Sequence, residues 1–139
     1  MSVVVVHRYN APAEKVFDAW LDPYAVVSWM FPDGQIGRVD IDAREGGSFS
    51  FIDLRDDVEI DHRGEYLVIA PPKRLVFTWG IPKESPDFDR VAIDIEGTET
   101  GCEVTLTYDL DPKWAEYAPQ SEKAWRTMLE AIDKALTRH

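Results

Sequence analysis

Residues 119–138 read PQSEKAWRTMLEAIDKALTR, and the rest of the predicted architecture is built around them. At the 100° turn per residue of an α-helix, the apolar side chains of this stretch fall within roughly 100° of arc. They are Trp125, Met128, Leu129, Ile132, Ala135 and Leu136, and charged side chains such as Lys123 and Glu130 fill the opposite arc. The pattern predicts a long amphipathic helix, which needs an apolar surface to pack on.

A one-sided sheet is the surface that the preceding sequence predicts. Residues 2–9 read SVVVVHRY, a β-branched and aromatic run typical of a strand. From about residue 35 to 110 apolar and polar residues alternate, as in antiparallel strands with one face on a core and one in water. Phe49 and Phe51, for example, alternate with Ser48 and Ser50. We predict seven strands in all.

Two short helices are predicted between the first strand and the others. Ala13, Val16, Phe17 and Trp20 have the i, i+3, i+4, i+7 spacing of one helix face. A second helix follows Asp22-Pro23 and must stop before Pro32. Because no linker or repeat divides the chain, we expect residues 1–139 to form a single domain of α+β type.

The composition excludes several classes of protein. With 139 residues, 45% of them apolar, the chain can build a sizeable core. Its net charge of −11 disfavours binding to nucleic acid. Cys102 is the single cysteine, so no internal disulfide forms, and no zinc-type spacing occurs. No membrane span or secretory signal is evident, and we expect a cytoplasmic protein without a metal or cofactor.

Five sequence motifs, taken in their order along the chain, resemble those of the START-like (SRPBCC, helix-grip) superfamily. The first two are residues 8–12 with 16–20, RYNAP and VFDAW, and the third is Asp22-Pro23 followed by Trp29. The others are residues 42–47, DAREGG, and residues 64–79, GEYLVIAPPKRLVFTW. Within the superfamily the chain is most similar to the branch of homologues of the activator of the heat-shock-protein-90 ATPase. One departure is Ala124-Trp125, where the branch often has Gly-Trp.

The resemblance implies a curved seven-stranded antiparallel sheet around the long C-terminal helix, with an apolar cavity between them. Related proteins use that cavity for hydrophobic ligands. Some are cyclases or hydrolases, others are carriers, and multidomain members stimulate a chaperone, so the family alone does not fix a reaction. We expect a small hydrophobic molecule as the partner, and a homodimer is possible.

The candidate ligand-binding residues are mostly aromatic side chains expected to face the sheet–helix interior. They are Trp29, Phe51, Glu65, Phe77, Trp79, Trp125 and Met128. Ligand pockets are typically apolar with a few polar groups, which favours this role. Aromatic residues also fill cores because each buries a large area, so each of them has that simpler alternative.

Glu65 is the candidate proton carrier. If Leu67 and Ile69 face the core, the period of two places Glu65 and Arg63 on the same face. A carboxyl group in apolar surroundings has a raised pKa and can act as a general acid or base. Alternatively, Glu65 forms an ion pair with Arg63 or Arg8, or it is solvated at a frayed strand end.

Other titratable groups are expected to be structural or solvated. His7 and His62 lack partners at a metal-site spacing, and no nucleophile motif is present. The acidic side chains between residues 53 and 61 are expected to be solvated at a hairpin tip. They are Asp53, Asp56, Asp57, Glu59 and Asp61.

Three hypotheses of function follow, in order of preference. The first is binding of a small hydrophobic ligand. The second is a cyclase, dehydratase or hydrolase that uses Glu65, with His62 or Tyr66 as a possible second proton carrier. The third is regulation of a chaperone or another protein partner.

Overall fold

The computed structural model describes residues 2–31, 35–84 and 86–137. The strands are β1 (Ser2–Tyr9), β2 (Gln35–Ile41), β3 (Ser48–Arg55), β4 (Val58–Ala70), β5 (Arg74–Trp79), β6 (Asp89–Gly97) and β7 (Cys102–Asp109). The α-helices are α1 (Ala13–Leu21), α2 (Pro23–Trp29) and α3 (Ala118–Thr137). The predicted seven strands and three helices are confirmed.

The strands form one curved antiparallel sheet in the order β1-β7-β6-β5-β4-β3-β2. Helices α1 and α2 connect the two edge strands, β1 and β2. Asp22 starts α2, because its carboxylate accepts a 3.0 Å hydrogen bond from the backbone N–H of Tyr24. This arrangement is the α+β helix-grip fold that the sequence predicted.

Helix α3 lies on the inner face of the sheet, as its apolar arc requires. Trp125, Met128, Leu129 and Ile132 are buried, whereas Lys123 and Glu130, on the opposite arc, are exposed. The facing strands contribute alternate buried residues, such as Val91, Ile93 and Ile95 of β6. The core therefore lies between the sheet and α3, with α1 and α2 closing one side.

Two details differ from the predictions. A short 3-10 helix, Pro112–Tyr117, precedes α3. The backbone of Trp114 within it is not helical, so this segment is kinked. The stretch from Ile81 to Asp89, with two prolines and four charged residues, predicts an exposed loop, but Asp89 begins β6. Pro32, before which the second helix is predicted to stop, and Arg138, the last residue of the predicted long helix, lie outside the described residues.

Candidate functional site

The interior beneath the middle of the sheet is filled. Phe49 contacts Phe51, Tyr66 and Phe77, with ring centroids 4.8, 5.3 and 5.6 Å apart. The void among these rings measures only about 10 Å³. Phe51 and Phe77, two of the candidate ligand-binding residues, line this void and pack in the core, as the simpler alternative for aromatic residues predicts. Trp29 packs against Trp20, with ring centroids 4.8 Å apart.

A larger space opens where the first half of α3 faces the ends of β3, β4 and β5. Its volume is about 310 Å³, and we call it the cleft. Helix α3 contributes Ser121, Ala124, Trp125, Thr127 and Met128. The sheet and the loops contribute Phe31, Asp53, Arg55, Ile60, His62, Trp79, Ile81, Glu84 and Tyr108. Of the predicted ligand-binding residues, Trp79, Trp125 and Met128 line the cleft.

Trp79 and Trp125 form the wall between the cleft and the filled interior. Their rings meet edge to face with centroids 5.1 Å apart. On the interior side Trp79 contacts Phe49 and Trp125 contacts Trp20. Because both rings are held by packing, the aromatic surface of the cleft is preformed.

Asp53 is a polar group in this apolar cleft that the sequence reading missed. Only 2% of its surface is exposed. Its Oδ2 accepts a 2.6 Å hydrogen bond from Nε of Arg55, whereas its Oδ1 has no hydrogen-bond partner among the described residues. The prediction of a solvated tip is therefore wrong for Asp53, because it continues the inward-facing row of Phe49 and Phe51 on β3. Asp56 and Asp57 are exposed at the turn, as predicted.

His62 lies beside Asp53 on the inner face. Phe51 pairs with His62 across β3 and β4, which makes Asp53 a diagonal neighbour of His62. The imidazole packs against the rings of Phe31 and Trp79 in tilted arrangements, with centroid distances of 4.7 and 5.1 Å. Burial lowers the pKa of His62 below its usual value, although the charges of Asp53 and Asp61 act in the opposite direction. His62 is therefore neutral at pH 7.

Backbone groups of two residues hydrogen-bond to the ring of His62. Nδ1 lies 3.2 Å from the carbonyl oxygen of Ile60, and the backbone of Phe51 also hydrogen-bonds to the ring. A carbonyl oxygen can only accept, so the proton of the neutral ring is directed at one of these groups. The other ring nitrogen is unprotonated and can accept a hydrogen bond or a proton.

A second depression of about 500 Å³ adjoins the cleft and shares five lining residues with it, Trp79, Ile81, Glu84, Tyr108 and Ser121. The Tyr108 hydroxyl donates to Asp89, and burial together with this hydrogen bond raises the pKa of Tyr108. Tyr108 is therefore a fixed neutral donor to Asp89 at the boundary between the two spaces.

The predicted inward orientation of Glu65 is wrong. Glu65 is exposed, whereas its neighbours Gly64 and Tyr66 are buried on the inner face. Leu67 is 41% exposed and continues the outward row of Arg63 and Glu65. The register of β4 against β5 shifts between Tyr66 and Val68, so the alternation inverts after Leu67. The inward position of Ile69 therefore does not imply that Glu65, four residues earlier, also points inward.

Arg63 and Arg8, the partners predicted for Glu65, form ion pairs with other carboxylates. Arg63 pairs with Asp61 and Arg8 with Glu103, with nitrogen–oxygen distances of 2.6 and 2.8 Å. Glu65 thus corresponds to the solvated alternative, although it lies within β4 and not at its end. Glu65 does not line the cleft, whereas Asp53 and His62 do.

The remaining candidates have structural surroundings. His7 pairs with Asp133 of α3 at 2.8 Å. Tyr66 lines the small interior void, and burial raises the pKa of its hydroxyl above the ordinary range. Within residues 2–31, 35–84 and 86–137, no three His, Cys, Asp or Glu side chains converge as a metal site would require. None of the helices in this part of the chain is long and apolar enough to cross a membrane.

Solved structures of other proteins share this architecture over nearly the whole chain. Protein CV1439 from Chromobacterium violaceum matches with a TM-score of 0.88 and 21% identity, covering 99% of both chains. Protein ChR145 from Cytophaga hutchinsonii has 28% identity and a TM-score of 0.78 over 98% of this chain and 93% of its own. CalU16 from Micromonospora echinospora has a TM-score of 0.73 and 21% identity, covering 98% and 76%.

These structural similarities establish the fold. No curated protein shows significant sequence similarity to the chain. The family model described as Activator of Hsp90 ATPase homolog 1-like protein matches residues 10–137, which include both short helices, six of the strands and α3. The chain therefore belongs to the family of Activator of Hsp90 ATPase homolog 1-like proteins.

Proposed function

We propose that this protein binds a small hydrophobic molecule in the cleft between the sheet and the first half of α3, with residues 1–139 acting as one START-like domain. The observation that carries the proposal is the preformed aromatic wall of Trp79 and Trp125 beside a space of about 310 Å³. Ligand pockets of proteins start at roughly this volume and have mostly apolar walls with a few polar groups. Asp53 and His62 supply such groups.

The direct test is native mass spectrometry of freshly purified protein. We expect a co-purifying hydrophobic molecule in the wild-type protein. Ala124→Trp should abolish its retention, because Ala124 lines the cleft from an exposed position on α3 and a large side chain there would occupy the entrance. Lys123→Trp is the matched control, since Lys123 is the exposed neighbour that does not line the cleft.

The same variants test binding when no molecule co-purifies. Titration of 2-methylnaphthalene, followed by chemical shifts of the Trp79 and Trp125 indole N–H groups, should show saturation in the wild-type protein and in Lys123→Trp. Ala124→Trp should not respond. A wild-type protein with neither a retained molecule nor a saturable response would overturn the proposal.

A second candidate is a proton-transfer enzyme on the same cleft. The convergence of Asp53 and the neutral His62 supports it, because a buried neutral imidazole has one unprotonated nitrogen and is a competent general base. Its test is turnover of a bound ligand: His62→Phe would abolish turnover and retain binding. A chaperone or other protein partner, a homodimer and a cytoplasmic location stay predictions from the sequence.

A further inference from the structure

The carboxylate of Asp53 points to the chemistry of the ligand. Three buried polar atoms lack a hydrogen-bond partner in the described part of the chain: Nε1 of Trp20, the hydroxyl of Tyr66 and Oδ1 of Asp53. Trp20 and Tyr66 line the small interior void, whereas Asp53 lines the cleft. A buried carboxylate oxygen without a donor is costly, and a donor from a ligand would remove this cost.

We propose that the cleft selects apolar molecules that carry a hydrogen-bond donor, either a hydroxyl or an ammonium group, and that Oδ1 of Asp53 accepts from this donor. The inference rests on the proposed function, because it concerns the same cleft. The aromatic wall would hold the apolar part of the ligand, and Asp53 would determine which polar group accompanies it.

The relative positions of the side chains fit one such ligand. His62 is the diagonal neighbour of Asp53, and its ring lies 5.1 Å from that of Trp79, which in turn lies 5.1 Å from Trp125. A molecule bound against the two tryptophans would therefore lie close to His62 and its neighbour Asp53. The unprotonated nitrogen of the neutral His62 is a further acceptor, so this end of the cleft favours donors on the ligand.

The charges around the cleft also disfavour an anion. Among the lining side chains that the structure describes, Asp53 and Glu84 are acidic and Arg55 is the one basic residue. Arg55 already donates to Oδ2 of Asp53 through its Nε. Its side chain is 46% exposed, so solvent screens the charge that an anionic ligand would need.

Asp53 can present Oδ1 to a ligand by a small movement. The terminal torsion of an aspartate is broad, so the carboxylate can rotate within its rotamer. Arg55 can follow this rotation, because its half-exposed side chain extends into solvent. One oxygen of the buried carboxylate thus keeps Arg55 as a donor that can move with it, and the other oxygen can accept a hydrogen bond from a ligand.

Four probes that differ only in the polar group provide the test: 2-naphthylmethylamine, 2-naphthylmethanol, 2-methylnaphthalene and 2-naphthoate. Affinities for the wild-type protein are measured by chemical-shift titration of the Trp79 and Trp125 indole N–H groups. We expect the amine, the alcohol or both to bind at least about tenfold more tightly than 2-methylnaphthalene, and 2-naphthoate to bind most weakly. A preference for the amine alone identifies an ammonium ligand, and one for the alcohol a hydroxyl ligand.

Variants then assign the preference to Asp53. Asp53→Leu should reduce the affinity of the donor-bearing probes to that of 2-methylnaphthalene, whose own affinity should change less than about twofold. Asp61→Asn is the matched control, because Asp61 is a partly buried carboxylate of the same sheet that does not line the cleft. It should retain the wild-type ranking.

The outcomes separate this inference from the proposed function. Equal affinities of all four probes, or tightest binding of 2-naphthoate, would overturn the role of Asp53 and leave the cleft as a hydrophobic site. A wild-type protein that binds none of the probes would overturn both. If Asp53→Leu does not fold, the ranking measured with the wild-type protein decides the question by itself.

Discussion

The hydroxyl group of Tyr9 donates a 2.8 Å hydrogen bond to the carbonyl oxygen of Leu129 and so joins the first strand to the last helix. Two residues earlier on β1, Nε2 of His7 lies within hydrogen-bond distance, 2.8 Å, of Oδ2 of Asp133 on α3. These contacts hold the second half of the helix against the sheet. The first half, from Ser121 to Met128, faces the cleft. Helix α3 is thus anchored at one end and leaves space at the other.

Removing the hydroxyl group of Tyr9 should therefore destabilise the protein. Tyr9→Phe loses a buried hydrogen bond, and we expect the free energy of unfolding to fall by about 1–2 kcal/mol. Tyr66→Phe is the matched control, because the Tyr66 hydroxyl is buried without a hydrogen-bond partner among the described residues. It should leave stability unchanged or raise it, because it removes a buried hydroxyl and no hydrogen bond. Urea unfolding of both variants provides the measurement, and equal losses would contradict the assigned role of Tyr9.

Gly64 is required by the close approach of its neighbours. A Cβ atom at this position would collide with the carbonyl oxygen of Thr78 and the ring of Phe49. Gly64→Ala should therefore destabilise the protein by about 3 kcal/mol or more. At Gly97, the last residue of β6, a Cβ atom would meet nothing within 4 Å, so Gly97→Ala should be neutral or slightly stabilising. Thermal unfolding of the two variants measures the difference, and a stable Gly64→Ala variant would show that β4 does not pack as described.

His62 should make stability depend on pH. Its pKa in the folded protein lies below the usual value of 6.5 because burial disfavours the charged ring. Between these two pKa values the unfolded chain binds more protons than the folded protein, so stability falls as the pH decreases below about 6.5. The slope should stay below about 1.4 kcal/mol per pH unit, the value for the uptake of one full proton.

The control for this prediction is His62→Phe, which retains a ring beside Phe31 and Trp79. The difference between the two proteins isolates the contribution of His62. The difference in unfolding free energy between the two proteins should be constant above pH 7 and should shift in favour of His62→Phe below pH 6.5. Parallel curves throughout would show that His62 is not buried in the neutral form.

Glu65 should not contribute to binding in the cleft. Its side chain is exposed, and it does not line that space. We expect Glu65→Gln to change the unfolding free energy by less than about 0.5 kcal/mol and the affinity for 2-methylnaphthalene by less than about twofold. A large loss of affinity, measured by the same indole N–H titration, would restore Glu65 as a site residue.

The fold could be predicted because its main signals are local. The apolar arc of α3 and the alternation in β3 and β6 are properties of consecutive residues, and each forces one face towards a core. The candidate site was predictable only in part. Trp79, Trp125 and Met128 were identified because aromatic and apolar residues on inward faces had to lie between the sheet and α3.

Asp53 and Glu65 were assigned to the wrong environments for two different reasons. The alternation that placed Phe49 and Phe51 inward also applied to Asp53, but acidic residues near a hairpin are usually solvated. Glu65 was misplaced because one irregularity between Tyr66 and Val68 inverted the alternation on β4. Such a shift depends on pairing with β5, and the sequence of β4 carries no local sign of it.

Periodicity and composition alone thus determined the strands and α-helices, most of their buried faces and the docking of α3 on a one-sided sheet. The tertiary structure decided where that docking leaves space. The rings around Phe49 fill the middle of the interior, and Trp79 and Trp125 close it off from the cleft. Whether a cavity remains depends on how side chains from distant strands interdigitate, and so does the burial of Asp53 beside His62. No window of neighbouring residues contains that information.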